Sequence, residues 1–160
     1  MSQKERIAAL LHEFDERSPA GFAIALHVRF TRPTFLFQTY PKRWMDHYSA
    51  AGLVMHDPTV RWGLSNAGHI RWSELEDFDP RGVLEQAKDY GIMNGVAISV
   101  VTAGSRSIAS FARADRDFSD AEVAELEVRL SPLHAETENL GRLSERDRQA
   151  LVELSVRLTH

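Results

Sequence analysis

The chain contains no cysteine. Disulfides, zinc–thiolate sites and thiol catalysis are therefore excluded, and a core must come from packing alone. No apolar run approaches the roughly 20 residues that a membrane helix requires. A dominant charge is missing too: 19 basic residues against 23 acidic ones give a net charge of −4, which argues against a surface built mainly to hold polyanions. The opening stretch from Met1 to Gly21 carries acidic residues and no long apolar run, so neither a secretory signal nor a transit peptide is expected. These absences together predict a cytoplasmic protein with no membrane association.

What is present is 160 residues, 43% of them hydrophobic. A chain of that size buries roughly 70% of its unfolded surface and needs no staples. Ile7, Leu10, Leu11 and Phe14 fall at helical spacing, so residues 2–17 predict an amphipathic helix ended by Ser18-Pro19-Ala20-Gly21. Two extended stretches, Phe22 to Thr31 and Thr34 to Thr39, predict a hairpin around Arg32-Pro33. A helix follows from Pro41 to Ala51. Asp57-Pro58 and Asp79-Pro80 each predict a short helix with the aspartate as N-cap, the second running to about Tyr90. Gly95–Thr102 and Ser107–Ala112 predict a second hairpin around Ala103-Gly104-Ser105. Ser119 and Glu122 form a capping box for a long helix carrying Val123, Leu126 and Leu130, which Pro132 is expected to kink or split. Hairpins set among helices predict an α+β fold, an α-β-α sandwich with a central antiparallel sheet flanked by helices. Ser144 with Asp147 caps a last helical segment, Leu143 to His160, and Gly141-Arg142 is the one plausible domain boundary.

Catalytic constellations are hard to find. The seven histidines show no HxxxH or HExxH spacing, so no metal site is expected, and they read as hydrogen-bonded surface or boundary residues. Ser105 and Ser107 read as turn residues, since no strand-to-helix glycine elbow surrounds them. Between Tyr40 and Trp72, by contrast, lie Trp44, Tyr48, Asp57, Trp62 and Trp72, which include all 3 tryptophans. Trp44 and Tyr48 share a helix face. Such a face can be ordinary core. Its Tyr and Trp tips, however, each need a polar partner when buried, which suits a ligand with scattered carbonyls. Asp57 fits either a ligand acceptor or a plain N-cap.

At these residues the chain resembles the autoinducer-binding domain of LuxR-type quorum-sensing regulators. The family pattern of Trp, Tyr, Asp-Pro and Trp falls without a gap on Trp44, Tyr48, Asp57-Pro58 and Trp72, with Tyr40 ahead of it and Thr59-Val60 completing a DPTV run. Gly95 resembles the family glycine that opens a central strand, and the likeness spans roughly residues 5–140. The resemblance implies a bacterial quorum-sensing receptor that encloses an N-acyl homoserine lactone, acts as a homodimer and controls transcription. It implies that Trp44 donates its indole N–H to the lactone carbonyl, that Asp57 accepts the ligand amide N–H and that Tyr40 bonds the acyl carbonyl. Tyr48 and Trp72 would pack around ring and chain, Thr59 and Val60 would line the pocket, and Ser110 would lie near a substituent on the third carbon of the chain. No cofactor and no enzymatic activity are implied.

The carboxyl end departs from the family. Residues 1–141 correspond to the sensor domain, and 142–160 to a linker and the first helix of a helix-turn-helix domain that is truncated or absent, so DNA binding is expected only through a recognition helix this chain lacks. Two organisations fit: a ligand-binding portion of a longer regulator, or a short homologue that antagonises full-length relatives. A ligand-independent dimerisation module of the same fold is the competing function. An enzyme acting on acyl lactones ranks below both, for want of a nucleophile or metal set.

Overall fold

The computed structural model describes residues 1–30 and 32–138, with single positions at 146, 149 and 153. Ser2 accepts the Glu5 N–H and opens helix α1, Gln3–Arg17, which buries Ile7, Leu11 and Phe14. Strands β1, Gly21–Leu26, and β2, Phe35–Gln38, form the first hairpin. Helices α2, Lys42–Ala50, and α3, Pro58–Ser65, follow, joined through a 3-10 turn at Leu53–His56. After strand β3, Gly68–Arg71, two further 3-10 turns lead to helix α4, Val83–Lys88. Strands β4, Asn94–Thr102, and β5, Ser105–Arg113, make the long hairpin, and helix α5, Asp120–Glu136, closes the described fold. The sheet order is β2-β1-β5-β4-β3, antiparallel throughout. This is the α+β architecture that the hairpins and helices predict.

Strand alternation gives the sheet two unlike faces. One carries Phe22, Ile24, Leu26, Phe35, Phe37, Val96, Ile98 and Phe111, all buried against α1 and α5 with Phe14, Leu126 and Leu130. Phe14, Phe22 and Phe111 interlock there with ring centroids 5.2–6.2 Å apart. The other face carries Gly21, Ala23, Ala25, Gly95, Ala97, Ser110 and Ala112, and α2, α3 and α4 cover it. Helix α3 lies close on this face at Gly63, where a Cβ would come 2.5 Å from Ile108 Cγ2.

Several local expectations need correction. Strand β3 was not foreseen, and β1 stops at Leu26 because His27 takes a left-handed φ of 49°. Asp79 does not sit at a helix start followed by Pro80. Left-handed Gly82 precedes α4, and the Asp79 carboxylate reaches forward to accept the N–H groups of Val83 and Leu84. Pro132 does not split α5, since it lies exposed on the same side as Val128, where water can solvate the freed carbonyl. The turn of the long hairpin is Ala103-Gly104, with φ 49° and 79°, so Ser105 and Ser107 belong to β5. The predicted boundary at Gly141-Arg142 and the capping pair Ser144 and Asp147 lie outside the described residues.

Two histidines expected near the surface are buried: His27 is 8% exposed and His134 is 1% exposed. Their rings stack with centroids 4.4 Å apart. His27 Nδ1 meets Ser105 Oγ at 2.5 Å, and its Nε2 meets the His134 carbonyl and Thr137 Oγ1. His134 uses Nδ1 on Ser107 Oγ and Nε2 on Thr102 Oγ1, both at 2.7 Å. The network ties the end of α5 to the β4–β5 hairpin. Burial, and then the neighbouring His27, push the His134 pKa below its ordinary value. The unfolded chain then binds a proton the fold resists, so the stability from neutral His134 is complete above the unfolded value of about 6.5 and falls as pH drops below it. The melting temperature should decline between about pH 7.5 and about pH 5.5 more steeply for the wild type than for His134→Gln; equal slopes would show that His134 carries none of this dependence.

Candidate functional site

Helix α2 begins after Pro41 and presents Trp44 and Tyr48, one turn apart, toward the small-residue face of the sheet. Gly52, at φ 63°, turns the chain so that Asp57 arrives beneath them at the start of α3. Tyr40 rests on Gly21, where a Cβ would sit 2.6 Å from Tyr40 Cδ1. Trp72 lies flat over Gly95, where a Cβ would fall 2.2 Å from its ring. Gly95 is therefore required for space and not for backbone angle.

Tyr40, Trp44, Tyr48, Asp57, Thr59, Val60, Trp72 and Ser110 all line one cavity of about 210 Å³. Its remaining wall is largely apolar and includes Met45, Leu64, Val83, Leu84 and Ile92. Leu36 and Val54 also line it and are 44% and 49% exposed, so the cavity opens between β2 and the 3-10 turn before α3. Nothing in the α4 sequence pointed to Val83 and Leu84 as wall residues. The alternating small residues of β1, β4 and β5 did hold a signal for the floor.

Each polar group has a defined state. Asp57 Oδ1 accepts from both the Thr59 N–H, at 2.9 Å, and the Thr59 hydroxyl, at 2.7 Å, while Oδ2 accepts from the Tyr48 hydroxyl at 2.7 Å. The aspartate thus serves as N-cap with one oxygen and faces the cavity with the other, which keeps a lone pair for a further donor. Burial drives its pKa up against these hydrogen bonds, which favour the carboxylate. Burial and the Asp57 charge raise the Tyr48 hydroxyl pKa, which keeps that group a donor. Tyr40 donates to the Ser110 carbonyl at 3.2 Å, and Trp72 donates its indole N–H to Ser110 Oγ at 3.0 Å. Trp72 is thereby committed to the wall. The Trp44 indole, packed by Tyr48, His47 and Tyr90, donates its N–H to no other described residue. Among the described residues, no group of three or more histidine and acidic side chains is placed to hold a metal ion.

This geometry has relatives. The family model for the autoinducer binding domain matches residues 6–136. The chain belongs to the autoinducer-binding domain family. It is 37% identical over 92 residues to the transcriptional activator SolR of Ralstonia nicotianae, covering 57% of this chain and 39% of that one. The chain thus matches well under half of SolR's length. Escherichia coli SdiA superposes with a TM-score of 0.66 at 20% identity, over 93% of this chain and 70% of SdiA. CepR2 of Burkholderia cenocepacia, an N-acylhomoserine-lactone-dependent LuxR family transcription factor, does so at 0.57 and 15% identity, over 86% and 95% of the two chains. At these identities the structural likeness establishes the shared fold.

The close seat of Trp72 on Gly95 yields a test. Gly95→Ala should cost about 1–3 kcal/mol in a urea titration, because the indole must leave its place on the strand. Gly104→Ala faces open space, although its φ of 79° carries a backbone cost of its own. If Gly95→Ala unfolds no earlier than the wild type, the close packing described here is absent in solution.

Proposed function

We propose that this domain binds an N-acyl homoserine lactone in the cavity and works by binding, without chemistry. The observation that carries the reading is the pairing of an uncommitted Trp44 N–H with the Asp57 carboxylate, whose Oδ2 accepts from Tyr48, both on the wall of a largely apolar cavity. Trp44 donates to the lactone carbonyl and Asp57 accepts the amide N–H. Ser110, expected near the third carbon, instead serves the acyl carbonyl, because its hydroxyl accepts from Trp72 and keeps its own proton to give; Tyr40 joins it only by releasing the Ser110 carbonyl. Tyr48 holds Asp57 in place, Trp72 packs against the chain, and Thr59 and Val60 close the wall. The head group is read by polarity and the tail by volume, at roughly 0.8 kcal/mol per buried CH₂. The cavity lies below the roughly 300–1,000 Å³ of pockets that enclose drug-sized ligands, which favours a short chain or one whose end leaves through the mouth beside Leu36.

The wider reading follows the family: a cytoplasmic quorum-sensing receptor acting as a homodimer. Residues 1–141 would be the sensor, and 142–160 would correspond to a linker and the first helix of a helix-turn-helix domain that is truncated or absent. No helix among the described residues is long and apolar enough to cross a membrane.

Ligand that fills the cavity stabilises the fold by mass action, about 2.7 kcal/mol at a hundredfold excess over Kd. Acyl homoserine lactones should therefore raise the melting temperature. Asp57→Asn and Trp44→Phe should each weaken lactone affinity by about tenfold or more, since each removes a hydrogen bond made in a dry site. Should no lactone shift melting, or should both variants respond like the wild type, the assignment of these two residues to the head group fails.

A further inference from the structure

One polar side chain on the cavity wall has no use in the arrangement above. Gln38 ends β2 and lines the cavity beside Leu36 and Tyr40. Its Oε1 is buried and has no hydrogen-bond partner among the described residues. In this orientation the amide presents the cavity with an acceptor that meets no donor among those residues. Buried polar groups without partners are rare in folded proteins and point to something that completes them.

The sheet register shows why the protein itself supplies nothing. Gln38 pairs with Ala23, and Ala23 pairs with Ser110 on its other side, so one row across the small face reads Gln38, Ala23, Ser110. Ala23 cannot reach the amide, and Ser110 lies two strands away, roughly 10 Å, and already accepts from Trp72. Gln38 stands one pleat repeat, roughly 7 Å, beyond Tyr40 along the chain. It thus adjoins the first carbons of an acyl chain whose amide is held by Asp57 and Tyr40.

Three kinds of chain could meet it. A plain methylene leaves Oε1 unpaired. A ketone has only lone pairs, so it can pair with Gln38 only if the amide turns its NH₂ inward in place of Oε1. A hydroxyl donates to Oε1 and can accept from the amide NH₂. We propose that Gln38 is a specificity-determining residue that accepts a hydrogen bond from a hydroxyl on the third carbon of the acyl chain, so that the site prefers 3-hydroxyacyl homoserine lactones. The proposal rests on the lactone-binding function argued above.

The test is a calorimetric titration of the 160-residue chain with N-hexanoyl-, N-(3-oxohexanoyl)- and N-(3-hydroxyhexanoyl)-homoserine lactone. The hydroxylated compound should bind the wild type roughly five- to twentyfold more tightly than the unsubstituted one, with the oxo compound below it. In Gln38→Leu and Gln38→Met that ratio should fall to about one, while hexanoyl lactone binds as well as before or better. A wild-type ratio near one overturns the proposal without recourse to any variant, and points to water as the partner of Gln38. A preference that survives in either folded variant overturns it as well. Binding of hexanoyl lactone without hydroxyl discrimination would leave the lactone function standing and remove only the role of Gln38. Failure of all three compounds to bind would remove both.

Discussion

The structure depends on a difference in bulk between the two faces of one sheet. On β1 the side chains alternate Gly21, Phe22, Ala23, Ile24, Ala25, Leu26, so the large residues fall on one side and the small ones on the other. The β4 and β5 segments Gly95 to Ile98 and Ser110 to Ala112 continue the pattern in register. On the α1 and α5 side, aromatic and branched residues form one continuous buried cluster. On the other side an alanine and glycine floor faces Trp44, Tyr48 and Trp72, and the layers are held apart by rings whose edges do not fill the space between them. The cavity is a consequence of strand alternation. It needs no special loop.

A void of this sort is costly unless something occupies it, and so is a carboxylate in a dry site. The protein offsets the second cost locally. Thr59 gives Asp57 two hydrogen bonds and Tyr48 a third, all from groups whose positions are fixed by α2 and by the first turn of α3. Capping and ligand recognition are therefore alternatives only in the sequence. In the fold one aspartate oxygen caps α3 while the other meets Tyr48 at the cavity wall, so the proposed ligand contact and the cap are compatible. Gly95 and Gly21 act in the same economical way: by having no side chain, they let Trp72 and Tyr40 lie on the strands, where their polar atoms converge on Ser110.

Much of this was legible in the sequence, for identifiable reasons. The Ser119–Glu122 capping box and the Asp57-Pro58 start are local signals, and both form as read. The aromatic residues from Tyr40 to Trp72 converge because helical spacing and short connections leave them few other places to go. Strand β3 escaped because it is four residues of mixed polarity on a sheet edge, defined by its pairing with β4 and not by its own pattern. The buried histidines escaped for a related reason. His27 is satisfied by Ser105, His134 and Thr137, partners far away in the chain that no local pattern reveals. Gln38 looked like an ordinary polar residue at a strand end. Only the cavity shows that its Oε1 is buried without a donor among the described residues.

The two helical layers also differ in what holds them. Helices α1 and α5 span 15 and 17 residues and bury a continuous apolar stripe against large side chains. Helices α2, α3 and α4 span 9, 8 and 6 residues, shorter than the roughly 12–15 at which even a favourable isolated helix becomes marginal in water. Their order must come from tertiary contact, and on their side of the sheet the contact is interrupted by the cavity. The proposed ligand would touch α2 through Trp44, the start of α3 through Asp57, the sheet through Ser110 and α4 through Val83 and Leu84. Its binding would therefore replace the missing interior of one layer and leave the other nearly unchanged. Stability gained in this way would be unevenly distributed: the α1–α5 layer rests on its own packing, and a ligand in the cavity would add contacts mainly to the α2–α4 layer.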